Sequence, residues 1–229
     1  MFILNKKSQI RKIFVFFSLA LLVRLIFIFF QNPDIDKLIE DELLYWNASI
    51  NYLNKGLIEE SILLERMPGI FLYTKMLLLL SFKNIKIYLI LQSIIDALTC
   101  VIIYKIGSLI FPKQKIYIYL SAVFSPLMII LSSQVLSETI FLFFFTIFLY
   151  FSINLIIEEK NQLYFRLLMA GLFLGLSISI RSITYPLVYL SLIPITIILL
   201  KQNVPKYKLL ISGIIFMFFF FITNITKII

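Results

Sequence analysis

The chain has 229 residues, a net charge of +9 and 61% hydrophobic residues. It has no histidine and one cysteine. That excludes Ser-His-Asp and Cys-His arrangements, His-ligated metals, Cys-based metal sites and an intrachain disulfide. Mean hydropathy is +1.01, and the apolar content exceeds the roughly 45–50% of soluble globular chains. The excess lies in runs long enough to span a bilayer as helices, which takes about 20 residues. The chain therefore reads as an all-α, polytopic integral membrane protein. Its basic surplus reads as cytoplasmic loops facing anionic lipid; no interleaved basic and aromatic surface points to nucleic acid. Any acid–base work falls to Asp, Glu, Tyr or Lys. Frequent Lys, Asn, Ile and Phe point to AT-rich coding, and a bacterial plasma (inner) membrane is the expected location.

The start, MFILNKKSQIRK, is basic and reads as cytoplasmic. Ile13 to Phe30 is the first span, and FFQNPD after it lacks a small-residue cleavage site, so it reads as an uncleaved anchor. Arg24 interrupts it near the outer end. It either snorkels to headgroups or meets an anionic lipid group in the site. Residues 31–68 then form the one long polar stretch, with eight of the chain's 12 acids against Lys37, Lys55 and Arg66, so its charge is 3 − 8 = −5. A strongly acidic loop in a basic membrane protein reads as extracytoplasmic.

Gly69 to Phe82, with Lys75 in its middle, is short for a span and reads as re-entrant or interfacial. The remaining expected spans are Ile87–Phe111, Ile116–Leu131, Thr139–Ile157, Leu167–Ile180, Ile183–Leu200 and Leu209–Ile225. That makes about seven spans plus one short helix in a single transmembrane domain, residues 1–229. Parity supports the short helix as non-crossing. Only then do Pro112–Lys115 (PKQK), EEKNQLYFR and KQNVPKYK all lie inside, with the acidic loop, Glu138 and Arg181 outside.

Chemistry-bearing residues concentrate on that outer side. In EDELLYWNASINYL, Leu43, Leu44, Trp46, Ile50 and Leu53 fit a helix lying on the membrane surface. Glu42, Tyr45 and Ser49 share one stripe, and Asp41, Tyr45 and Ala48 another. Either stripe is a solvated face or holds a carboxylate beside the membrane, ready to take a proton from an acceptor hydroxyl. Glu65-Arg66-Met67-Pro68-Gly69 is a rim ion pair and turn, or a phosphate ligand (Arg66) oriented by Glu65. Ser137-Glu138 opens a helix, where it suits the helix dipole. Glu138 and Asp41 could also hold a divalent cation. Arg181 follows GLFLGLSISI, whose Gly171 and Gly175 allow close helix packing. It anchors at the interface or binds a lipid phosphate. Asp96, four residues after Gln92 within a span, reads as structural and paired inside the bundle, so Asp96→Asn is expected to lower stability only modestly. The Asn47-Ala48-Ser49 sequon is treated as chance.

Asp41-Glu42, Tyr45, Ala48, Gly56 and Arg66-x-Pro68-Gly69 together resemble the first loop of GT-C glycosyltransferases. The nearest group is the dolichyl-phosphate-mannose–protein mannosyltransferase family with its bacterial relatives, including the lipid A aminoarabinose transferase. LQSIIDALTCVIIYKIG, FSPLMIILSSQVLSETIF and GLFLGLSISIRS extend the resemblance from about Arg24 to about Leu200. It implies a GT-C core that moves a sugar from a polyprenyl- or dolichyl-phosphate donor to a lipid, glycan or protein acceptor on the extracytoplasmic face. Asp41 matches the loop acid that acts as base, and Glu138 matches a second outer acid. Glu65-Arg66-Met67-Pro68 matches the loop-closing Glu-Lys-Pro-Pro type motif, with Arg in place of Lys. Arg181 matches an arginine after the Gly-rich helix. Members usually continue for several more spans, whereas this sequence ends at Ile229. The alternatives are a non-enzymatic transporter or flippase of lipid-linked sugars, which would not need Asp41, and an inactive truncated assembly subunit.

Overall fold

Proline, glycine and asparagine set the helix boundaries in this chain. The structure, a computed structural model, describes residues 2–56, 58–157 and 162–181 together with Pro186. The expected spans Ile183–Leu200 and Leu209–Ile225, the KQNVPKYK loop and the first residues of EEKNQLYFR lie outside the described residues. Among the described residues every regular element is helical, in the order α1 (Phe2–Gln31), α2 (Glu40–Lys55), α3 (Glu60–Glu65), α4 (Pro68–Leu80), α5 (Ile85–Ile110), α6 (Lys115–Val123), α7 (Pro126–Ser132), α8 (Glu138–Ile157) and α9 (Leu163–Ile180). Gly56 ends α2 in the left-handed region at φ 73°, returning its N–H to the Tyr52 carbonyl. Pro68 opens α4 at a position whose N–H would have no helical partner. Asn84 caps α5 by accepting from the Lys86 and Ile87 amides.

Among the described residues, four helices are long and apolar enough to cross a membrane: α1 over Gln9–Gln31, then α5, α8 and α9. The bent pair α6–α7, which turns by 47°, is a broken span or a re-entrant pair. Pro126 causes that break, because it cannot donate to the preceding turn, and Ser125 caps the new helix through Met128 N–H. Thus the five expected spans within the described residues are apolar helices, one of them broken.

α4 has 13 residues, a length of about 20 Å against the ~30 Å hydrocarbon core. It starts and ends at the same end of the bundle. Ile70, Phe71, Leu77 and Leu78 share one core with Ile28 at the end of α1, Ile85 at the start of α5, Ile140 at the start of α8 and Ile180 at the end of α9. The opposite end brings Lys12 of α1, Lys105 of α5, Lys115 of α6 and Tyr150 of α8 around one cavity. PKQK therefore lies with the N-terminal segment, opposite the acidic loop, as the parity argument requires. Lys75, the charge inside α4, stands 3.6 Å over the Tyr52 ring of α2, a cation–π contact that adds about 0.5–1 kcal/mol of attraction between the two helices.

Among the described residues, one fully buried ion pair fastens the bundle interior. Arg24 Nε donates to Asp96 Oδ2 at 2.7 Å, and both side chains are almost completely enclosed. The rest of the guanidinium donates to the Val123 carbonyl at 2.8 Å, the Ala122 and Ala20 carbonyls, and Cys100 Sγ. Ala122 and Val123 belong to the last turn of α6, where the helix break leaves carbonyls without intrahelical partners. One arginine thus meets an intramembrane acid and caps a half-helix, joining α1, α5 and α6. This corrects both expectations for Arg24: it reaches neither headgroups nor the site. Asp96 is structural and paired, as expected.

Candidate functional site

α2 delivers the loop's chemistry because it is covered by α4. Its buried residues are Glu42, Tyr45, Trp46, Ala48 and Ser49, so the polar stripe faces inward. Leu43, expected against the membrane, is exposed. Burial of that stripe is tolerated because its polar groups find partners. Ser49 Oγ donates to the Phe71 carbonyl at 3.4 Å, and Glu42 Oε1 accepts from the Val135 amide at 2.9 Å. Trp46 meets Tyr88 edge-on at 5.6 Å, and Tyr45 meets Phe71 at 5.9 Å. With its carboxylate on a backbone amide, Glu42 holds the α7–α8 turn and does not line the cavity described next.

That cavity, of about 150 Å³, lies where the starts of α2, α4 and α8 meet the end of α9. Its polar wall is Asp41, Tyr45, Arg66, Ser137, Glu138 and Arg181, and Met67, Ile70, Leu136 and Ile180 supply the apolar side. Two ion pairs cross it. Arg66 Nη2 donates to Asp41 Oδ1 at 2.7 Å, and Arg181 Nη1 to Glu138 Oε1 at 2.5 Å. Ser137 Oγ donates to Glu138 Oε2 at 3.3 Å. Glu138 stands in the first turn of α8, where the helix dipole favours a negative charge. All four charged side chains are 26–45% exposed, so a polar ligand can reach them. Burial raises the Tyr45 pKa above that of an ordinary phenol. The Asp41 charge adds to the rise, while Arg66 and the Ser137 hydroxyl oppose it. Tyr45 is therefore a hydrogen-bond donor here and not a base.

Sequence reading named Asp41, Tyr45, Arg66, Glu138 and Arg181 for the site, and these five share one cavity. Arg24 and Glu42 do not. Glu65 ends α3 beside Arg66, but its side chain lies outside the described residues. Two structural supports carry sequence signals that are legible only in retrospect. The Gln92 amide donates to the Leu131 carbonyl at 3.1 Å and the Gln134 carbonyl at 2.5 Å. It so holds the turn that leads into Glu138. Gly69 lets α4 approach α9, because a Cβ there would lie 2.5 Å from the Ser179 carbonyl oxygen. The clash is with backbone, so α4 itself would have to move. Gly69→Ala is expected to destabilise the fold by about 1–3 kcal/mol, as overpacking does. Thermal unfolding in detergent is the check, and an unchanged midpoint would show that α4 and α9 are not in this register.

No protein-family profile, curated protein or solved structure matches the chain.

Proposed function

We propose that the chain carries the catalytic end of a GT-C-like glycosyltransferase, using a polyprenyl-phosphate sugar as donor on the extracytoplasmic side of a bacterial plasma membrane. The observation that carries this reading is the convergence of two carboxylates and two arginines from four separate helix ends in one accessible cavity. Asp41, Tyr45, Arg66, Glu138 and Arg181, five of the residues that carry the resemblance, meet there.

In the reaction, Asp41 takes the proton from an acceptor hydroxyl. The acceptor oxygen bonds to the anomeric carbon from the face opposite the phosphate. The carbon–oxygen bond to phosphate breaks, and the electron pair leaves with the lipid phosphate. Arg66 and Arg181 hold that phosphate and stabilise its growing charge. Tyr45 and Glu138 shape the cavity, Tyr45 as a hydrogen-bond donor.

Arginine is the better source of positive charge than a divalent ion. A cation bridging Asp41 and Glu138 would sit against both guanidinium groups.

The test is transfer from a radiolabelled polyprenyl-phosphate sugar in membranes with matched protein levels. Arg66→Ala and Arg181→Ala are each expected to raise the donor KM at least about tenfold, the loss of a charge-assisted hydrogen bond. Unchanged KM values in both variants would remove the phosphate-binding role and the reading with it.

A further inference from the structure

The cavity is already occupied by its own charges. Each arginine is engaged by a carboxylate, and the wall sums to zero: Arg66 and Arg181 against Asp41 and Glu138. A phosphate that binds both arginines must take them from those acids. We infer that the two ion pairs form a resting latch, opened by a lipid phosphate that displaces Asp41 and Glu138 from their arginines. Donor binding then does two things at once. It gives both arginines phosphate oxygens in place of carboxylates, and it frees the Asp41 carboxylate to accept a proton. The inference rests on the lipid-phosphate reading of the same cavity.

Three features support exchange over a static pair. First, the Arg66–Asp41 contact is made through a single nitrogen, Nη2. Arg66 Nε, enclosed at the cavity wall, finds no hydrogen-bond partner. The guanidinium fork is built for two parallel bonds to a planar or tetrahedral oxyanion. Half of that fork is therefore uncommitted, and a side-chain turn that brings Nε to the cavity gives a phosphate the second bond that Asp41 does not make. Second, the pairs are part-exposed. Such pairs are individually weak, so one phosphate group whose oxygens bridge both arginines can displace a carboxylate from each. Third, the displaced acids are not stranded. Ser137 Oγ already touches Glu138, and Asp41 is 45% exposed at its side chain, within reach of water or an acceptor hydroxyl.

The latch makes a prediction that a simple binding site does not. Removing an acid removes a competitor for the arginines. Asp41→Asn and Glu138→Gln should each bind a phosphate probe more tightly, by roughly 2–5-fold, the worth of a part-exposed ion pair. Arg66→Ala should bind it at least about tenfold more weakly. The experiment is calorimetric titration of the detergent-solubilised full chain with farnesyl phosphate, with thermal unfolding to confirm that each variant is folded. Two acid variants are used so that a folding defect in one leaves the other to decide. Tighter binding by a folded acid variant, with loss in Arg66→Ala, supports the latch. Equal or weaker binding by both acid variants, with loss in Arg66→Ala, overturns the latch and leaves the phosphate site standing. Binding that ignores Arg66→Ala, or no binding by any variant, overturns both.

Discussion

Asp41→Asn is expected to lower sugar transfer by about 10²–10⁴-fold, the usual contribution of a positioned general base. The chain has no histidine, so the proton acceptor at this surface is a carboxylate, or a Tyr or Lys with a depressed pKa. Tyr45 is displaced in the wrong direction for that work, since its burial and the Asp41 charge both disfavour the phenolate. Glu42 is committed to the Val135 amide. Glu138 is shared between Arg181 and Ser137. Asp41 makes one contact, to Arg66, and it is the most exposed of the four charged groups. Asparagine keeps the shape and can still accept from Arg66, so the fold should stay intact while the base is lost. Donor KM should not rise, because the arginines remain.

The largest stability effect belongs to the Arg24–Asp96 pair. Asp96→Asn is expected to cost about 3–5 kcal/mol, the range for breaking a buried ion pair from one side. This exceeds the modest loss that the sequence alone leads one to expect. The reason is the partner. An amide at position 96 can still accept from Nε, but it cannot balance the guanidinium, and arginine does not deprotonate in proteins. Arg24 is wholly enclosed, so water cannot take over the charge. Replacing both partners with apolar residues, Arg24→Met with Asp96→Leu, should recover much of the loss, because no charge is then left buried. Full recovery is not expected. The Val123 carbonyl loses its Arg24 donor at the α6–α7 break, while the Ala122 carbonyl keeps the Ser125 N–H. Denaturant unfolding in mixed micelles measures both variants. An Asp96→Asn chain within about 0.5 kcal/mol of the parent, as neutral surface changes are, would show that the pair is not holding the bundle.

How far the sequence carried these conclusions depends on the range of each signal. Local signals were legible. Pro68 marked a helix start and the short run from Gly69 carried its own length limit, whereas Ile116–Leu131 was expected as one unbroken span and Pro126 breaks it. Charge asymmetry, summed over loops, put PKQK opposite the acidic stretch, and the bundle has that arrangement. Pairings across the bundle were not legible as pairs. Arg24 and Asp96 are 72 residues apart, and no periodicity connects them. Yet both are charges of opposite sign inside apolar spans, and each needs a partner there; matching them was open to the sequence reader. The direction of α2's polar stripe was left open for a different reason. Its partners, the Phe71 carbonyl and the Val135 amide, are backbone groups on other elements. Backbone partners leave no trace in side-chain composition. The same gap made Glu42 look as reactive as its neighbour Asp41.

The neighbouring acids Asp41 and Glu42 give the most direct test of the central claim. Transfer from a radiolabelled polyprenyl-phosphate sugar should be measured for Asp41→Asn and Glu42→Gln in membranes at matched protein levels. Glutamine can still accept the Val135 N–H through its amide oxygen, so Glu42→Gln should keep most of the transfer. Asp41→Asn should lose about 10²-fold or more. Transfer by Asp41→Asn at the parent rate would contradict the proposed mechanism at its centre, and if Glu42→Gln were the inactive one, the base would be Glu42.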